Sequence, residues 1–218
     1  MNASSLASAF RYGVVVLSLA MASGCGGLLG PATPAPTLYA LDMNLDGART
    51  AANKAPTPAD SMPTLVISPT RASPGFDSSQ MIYIREPYQL AHFAHSEWLD
   101  APARMLGSII VASIASTGTF RAVGPAAAGF SGSMRLDTEV LRLQQEFGDG
   151  PSRVRFTLRA YLLDSATRRV LAFSEFDESV VSNSEDPYGG VVAANKAVRA
   201  VMQRLAGFCT ETVRSTRN

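Results

Sequence analysis

Lysine is almost missing from this chain of 218 residues, with Lys54 and Lys196 the only two, so its cationic charge is nearly all arginine. Cysteine is as sparse, Cys25 and Cys209 alone, which excludes a disulfide-built miniprotein. Neither sign of charge dominates, 19 Lys+Arg against 18 Asp+Glu, so the basic footprint of a nucleic-acid binder is absent. No apolar run reaches the roughly 20 residues of a membrane-spanning helix, which excludes a polytopic membrane protein. Neither lysine stands in a glycine-rich run, so there is no Walker-type phosphate loop. No Gly-x-Ser-x-Gly elbow occurs either; Gly129-Phe130-Ser131-Gly132 only approximates one and reads as a turn before a strand. What remains is ordinary globular composition, 46% hydrophobic and 17% charged, enough for one domain of about 150 residues with appendages.

The most specific signal lies at the N-terminus. A short region ending in Arg11 is followed by the apolar stretch Val14–Met21, the small residues Ala22-Ser23-Gly24 and then Cys25. That order is a bacterial secretory signal, and a cysteine directly after the small residues resembles a lipobox, although Ala22 stands where Leu is usual. Lipoprotein processing would join diacylglycerol to the Cys25 thiol, cleave after Gly24 and acylate the new amine. Residues 1–24 are therefore expected to be a signal peptide, and Cys25 the site of a covalent lipid anchor. Two or three acyl chains hold a protein at a membrane where one is marginal. Cleavage would leave 18 basic against 18 acidic residues, so anchoring would come from lipid alone. Gly26, rather than Asp, favours the outer membrane over the inner by analogy with enterobacterial sorting.

Residues 25–61 read as a Pro/Ala-rich tether and loop, interrupted by the apolar patch Tyr39-Ala40-Leu41, which can pack on the domain. From Cys25 to Leu38 the tether would span roughly 43 Å fully extended and about 20 Å as a coil. The folded part is expected over 62–210, with 211–218 as a tail. Strands are expected at Thr64–Ser68 and Met81–Glu86, with a turn at Gly75 between them. Asp100 is expected to N-cap a helix with Pro102 in its first turn and Gly118 as its stop. A strand at Phe120–Val123 should follow. From Met134 apolar residues alternate, then shift phase at Leu141, which reads as a bulge or twist in one long strand. Val154 to Leu162 alternates with Arg153, Arg155, Thr157 and Arg159, and Val170–Val181 returns to complete a meander. Asp186-Pro187 has helix-start chemistry, and Val191, Ala194, Val198, Val201, Leu205 and Phe208 recur at helical spacing. The expected fold is α/β (α+β): a mixed, largely antiparallel sheet with two helices, in the order β-β-α-β-β-β-β-α.

Residues that could carry chemistry are few. His92 and His95, with Glu97 nearby, are too few for a zinc centre of three ligands and an open position, and read as a polar surface segment. Asp137, Glu139, Glu175, Asp177 and Glu178 read as solvated strand faces. Arg153, Arg155 and Arg159 form a stripe expected to pair with acids on a neighbouring strand. Cys209 reads as a buried free thiol near a helix end. Tyr83, Tyr88, Phe93 and Trp98 crowd the segment before the first helix, either as core anchors of a long loop or as an exposed surface for a partner or lipid.

The order of these features resembles the ABC-type transport auxiliary lipoprotein family, which includes the lipoprotein of the paraquat-inducible Pqi system. The resemblance rests on the lipobox, Tyr39-Ala40-Leu41, Leu65-Val66-Ile67-Ser68-Pro69, Met81-Ile82-Tyr83, Tyr88, the block Trp98 to Leu106, the meander and the Ala-rich last helix. It covers roughly residues 37–208. It implies no catalytic residue, metal or cofactor. It implies a docking or structural subunit that accompanies a permease, an ATPase and a mammalian-cell-entry (MCE) type periplasmic protein. Such systems move lipids or other hydrophobic molecules between the inner and outer membranes, and a ring-shaped MCE partner would favour a homo-oligomer. Two other readings stay open: a lipoprotein hydrolase acting on lipid or cell wall, and a stand-alone periplasmic lipid carrier.

Overall fold

The computed structural model describes residues 34–42 and 62–217. The signal segment, Cys25 and most of the tether and loop lie outside the described residues. In chain order the elements are β1 (Thr37–Tyr39), β2 (Thr64–Ile67), β3 (Arg71–Ala72), β4 (Gln80–Ile84), β5 (Leu90–Trp98), α1 (Pro102–Ala115), β6 (Ala122–Pro125), β7 (Met134–Glu146), β8 (Arg153–Asp164), β9 (Val170–Val181) and α2 (Pro187–Arg217). A 3₁₀ turn, Ala126–Ala128, follows β6.

Strand β7 is the spine of the sheet. Along one edge run β2, β3 and β4 in succession, all parallel to it. Together they make one interrupted strand, because Pro69 and Pro74 have no N–H for the ladder. Between them the ladder continues through Ser68 N to Leu136 O (3.0 Å) and Ser73 N to Val140 O (2.8 Å). The other edge of β7 pairs antiparallel with β8 along its whole length, and β8 with β9. These two long pairings give the sheet its antiparallel character, while β6 adds parallel to β2 and β1 parallel to β5. The register of β7 against β8 shifts between Val140 and Arg142. Leu141 is thus the extra residue of a bulge, where the apolar phase changes.

Both helices cover one face of this sheet. Ala103, Leu106, Ile110 and Ile114 of α1 are buried, as are Val191, Ala194, Val198, Val201 and Leu205 of α2, against Leu136, Val140, Phe156, Leu158 and Leu162. Each such Leu, Ile or Phe contributes about 1.5–3 kcal/mol by leaving water. Phe208 meets Phe176 edge-on at 5.9 Å.

Several local expectations are corrected. The residue that caps α1 is Ala101, with no side-chain cap bond. Asp100 sits one position earlier, where its Oδ1 accepts from Ala101 N at 2.8 Å and its carboxylate pairs with Arg104. The stretch before α1 is no loop: residues 90–98 form β5, held by β4 on one side and β1 on the other. Helix α2 runs past residue 210, where a tail was expected, because Val213 continues the buried face at 2% exposure. Cys209 therefore lies inside the helix, two turns from its end. At the start of α2, Asp186 Oδ1 accepts from Gly189 N at 2.7 Å, a side-chain cap preceding Pro187.

Candidate contact surface

Strands β4 and β5 form a hairpin whose tip carries the aromatic segment. Two of its four aromatics point into a cluster: Tyr83 lies 4.7 Å from Phe93 between ring centroids, and both pack against Phe147 at 5.8 and 6.5 Å. Arg85 lies over the Phe147 ring at 4.8 Å and over Tyr83 at 5.6 Å, a cation–π arrangement that roofs the cluster. Phe147 and Arg85 escaped the sequence reading because Phe147 stands alone in a turn. Its N–H bonds Ile84 O at 2.8 Å only because β4 lies beside β7. Trp98 is a core residue at 4% exposure, and its backbone N–H donates to Ser79 O at 2.8 Å.

Tyr88 differs from all of these. It is 100% exposed. Its backbone is left-handed, φ 68°, a conformation that costs a bulky residue on the order of 1–3 kcal/mol. The cause is local: Gln89 N donates to Glu86 O at 3.2 Å, closing a four-residue turn with Pro87 at its second position and Tyr88 at its third. Positive φ at the third position normally selects Gly or Asn. Leu90, 49% exposed, stands beside the tip. The four aromatics are thus split, three serving packing and one presented to solvent.

The remaining candidates resolve into structural roles. On the sheet face opposite the helices, Arg155 Nη2 pairs with Asp177 at 2.6 Å, and Arg159 with Glu175 at 3.2 Å and Glu139 at 3.6 Å. Arg153 stands opposite Glu146 in register. Hydrogen bonds from Arg155 and then Thr157 outweigh partial burial and hold the Asp177 carboxyl at about 2. Glu178 faces the other way and takes Arg204 of α2 at 2.8 Å. His92 and His95 are exposed on β5, and no cluster of three metal-ligating side chains occurs among the described residues. Cys209 is fully buried, and burial pushes its thiol up to about 12, which makes it inert packing.

The fold and sequence together place the chain. Residues 44–206 match the family model for the ABC-type transport auxiliary lipoprotein component, and the chain belongs to that family. A crystal structure of a Xanthomonas campestris protein of family DUF330 superposes with a TM-score of 0.69 at 22% identity, over 83% of this chain and 98% of that one. A second solved structure, of an uncharacterized protein, gives 0.62 at 12% identity over 81% and 99%. At those identities the likeness shows the shared fold. No curated protein matches the sequence.

Proposed function

We propose that the protein is a non-catalytic docking subunit of an MCE-type ABC transport system that moves lipids or other hydrophobic molecules between the inner and outer membranes. The observation that carries this reading is the family match over 44–206. Acylated Cys25 anchors the chain, on the outer membrane since Gly26 follows, with the domain facing the periplasm. Tethering concentrates the domain at the receiving membrane. The hairpin tip at Tyr88 and Leu90 is the surface that meets the MCE-domain protein: a rigid turn holding an aromatic in water suits an interface anchor. Permease and ATPase are reached through that partner. Against a ring-shaped partner, several copies of the chain would assemble with matching symmetry.

The test is a pull-down with full-length wild-type, Cys25→Ala and Tyr88→Ser baits, followed by mass spectrometry of proteins and lipids. An MCE-domain protein recovered with the first two baits and depleted with the third is the expected result. Equal recovery with Tyr88→Ser moves the contact elsewhere on the domain. Stoichiometric lipid with no partner protein overturns the docking role.

A further inference from the structure

A pocket of about 490 Å³ opens between α1 and the ends of β2 and β6. Its volume falls in the usual ligand-site range of roughly 300–1,000 Å³. Ile67, Pro69, Ala103, Val111 and Pro125 make its walls, and Gly107 makes part of its floor. A Cβ built on Gly107 would meet no atom within 4 Å, so this glycine leaves space that any larger side chain would fill.

The hydroxyls of the lining all have partners. Ser68 Oγ donates to Asp137 Oδ1 at 2.6 Å, Thr70 Oγ1 shares a hydrogen bond with Thr138 Oγ1 at 2.9 Å, and Ser108 Oγ donates to Met105 O at 3.4 Å. A polar ligand would therefore lose its water and find no partner inside. An extended peptide fares no better. Strand β2 is already paired on both sides, by β6 and β7, and Pro69 and Pro125 have no N–H to offer. Among the described residues Arg104 is the one charged residue of the lining, 66% exposed, and its Nε donates to both oxygens of Asp100 at 2.8 and 2.9 Å. An exposed ion pair of this kind is weak, so an incoming anion can replace Asp100 at small cost.

We propose that this pocket binds one acyl chain, with the lipid's anionic head, a carboxylate or a phosphate, at Arg104. The hydrocarbon meets mostly apolar walls whose hydroxyls already have partners, and Arg104 supplies a cation on the rim for the head. The site does not depend on the docking role, which engages the other end of the sheet.

The experiment uses the full-length chain carrying Cys25→Ala, with no partner protein, and the fluorescent fatty acid cis-parinarate as probe. The expected result is saturable binding at one site, displaced by saturated fatty acids from decanoate upward. Each added methylene should tighten binding by about fourfold until the pocket is full. Gly107→Leu should weaken binding more than tenfold with the helical circular dichroism and melting temperature retained, and Ala112→Phe, which blocks the same space from an exposed position, should do likewise. Arg104→Gln should weaken palmitate by about tenfold and leave hexadecanol unchanged. Tighter displacement by palmitate assigns the head to a free fatty acid; tighter displacement by lysophosphatidylglycerol assigns it to a phospholipid. Binding that does not saturate, or that survives both blocking variants in folded protein, overturns the proposal. Because no transport partner is present, failure here leaves the docking role intact, and loss of the pull-down leaves acyl binding intact.

Discussion

Asn195, on the buried face of α2, receives the backbone N–H of Asp42 on its Oδ1 at 2.8 Å. Its Nδ2 donates to Ala40 O at 3.3 Å and to Val191 O at 3.0 Å. One amide side chain, 9% exposed, thus ties the segment that leaves the tether to the last helix, 153 residues away in sequence. Beside it Leu99 N donates to Tyr39 O, and Leu41 is buried.

Asn195→Ala should cost about 1–3 kcal/mol, since it removes the hydrogen bonds that Asn195 makes to Asp42 N, Ala40 O and Val191 O. Thermal unfolding would measure the loss. Limited proteolysis should cut between residues 36 and 42 faster than in the wild type.

Two glycine replacements should move stability in opposite directions. Gly107 sits mid-helix with open space around its Cβ position, so Gly107→Ala should stabilise by roughly 0.5–1 kcal/mol. Gly189 stands in the first turn of α2, where an added Cβ would lie 2.3 Å from Ser184 O and 2.8 Å from its N. Backbone cannot yield there as a side chain can, and Gly189→Ala should destabilise by about 1–3 kcal/mol. Melting curves of the two variants decide it.

At the hairpin tip, stability and contact should separate. Tyr88→Gly removes the strain of the left-handed backbone and should leave the melting temperature unchanged or raise it, by up to roughly 1 kcal/mol in stability. Recovery of the partner in the pull-down should fall in the same variant. A drop in both would mean that Tyr88 packs rather than docks.

Acid should expose the Arg155–Asp177 pair. The Asp177 carboxyl is depressed from 3.8 to about 2. A depressed acid stabilises the fold above its unfolded pKa and loses that contribution as pH falls through its folded one. The window is therefore pH 4 down to 2. With side chains 39% and 42% exposed, solvent screening keeps the effect to about 1 kcal/mol or less. Asp177→Asn should flatten that part of the stability–pH curve.

Cys209, with its thiol at about 12 and no exposed surface, should resist iodoacetamide at pH 8 in the Cys25→Ala chain. Labelling should appear only across the unfolding transition. Labelling of the native protein would show that α2 opens locally.

Where order along the chain is local, it was legible from the residues. Strand β8 alternates because one face meets the helices and the other meets water, and β9 has the bounds expected for the returning strand of the meander. The phase change at Leu141 is a bulge. Asp186 caps α2, and Arg155 and Arg159 of β8 find acids on the neighbouring strands. By contrast β5 has no clean alternation, with Ala94 and His95 both exposed and only Ser96 and Trp98 buried. It is a strand because β4 and β1 offer it ladders on either side, and neither offer can be read from residues 90–98.

The same division governs function. The residues alone give the lipobox-like Cys25, the alternating meander and the final amphipathic helix, since each rests on neighbouring residues or a fixed period. Tertiary structure decides how Tyr83, Phe93 and Trp98 pack while Tyr88 stays in water, how Asn195 holds Ala40 and Asp42, and that Gly107 faces an open pocket. These facts depend on which surfaces meet across long stretches of chain. Such meetings are set by hydrogen bonds and burial between distant segments, which no local period encodes.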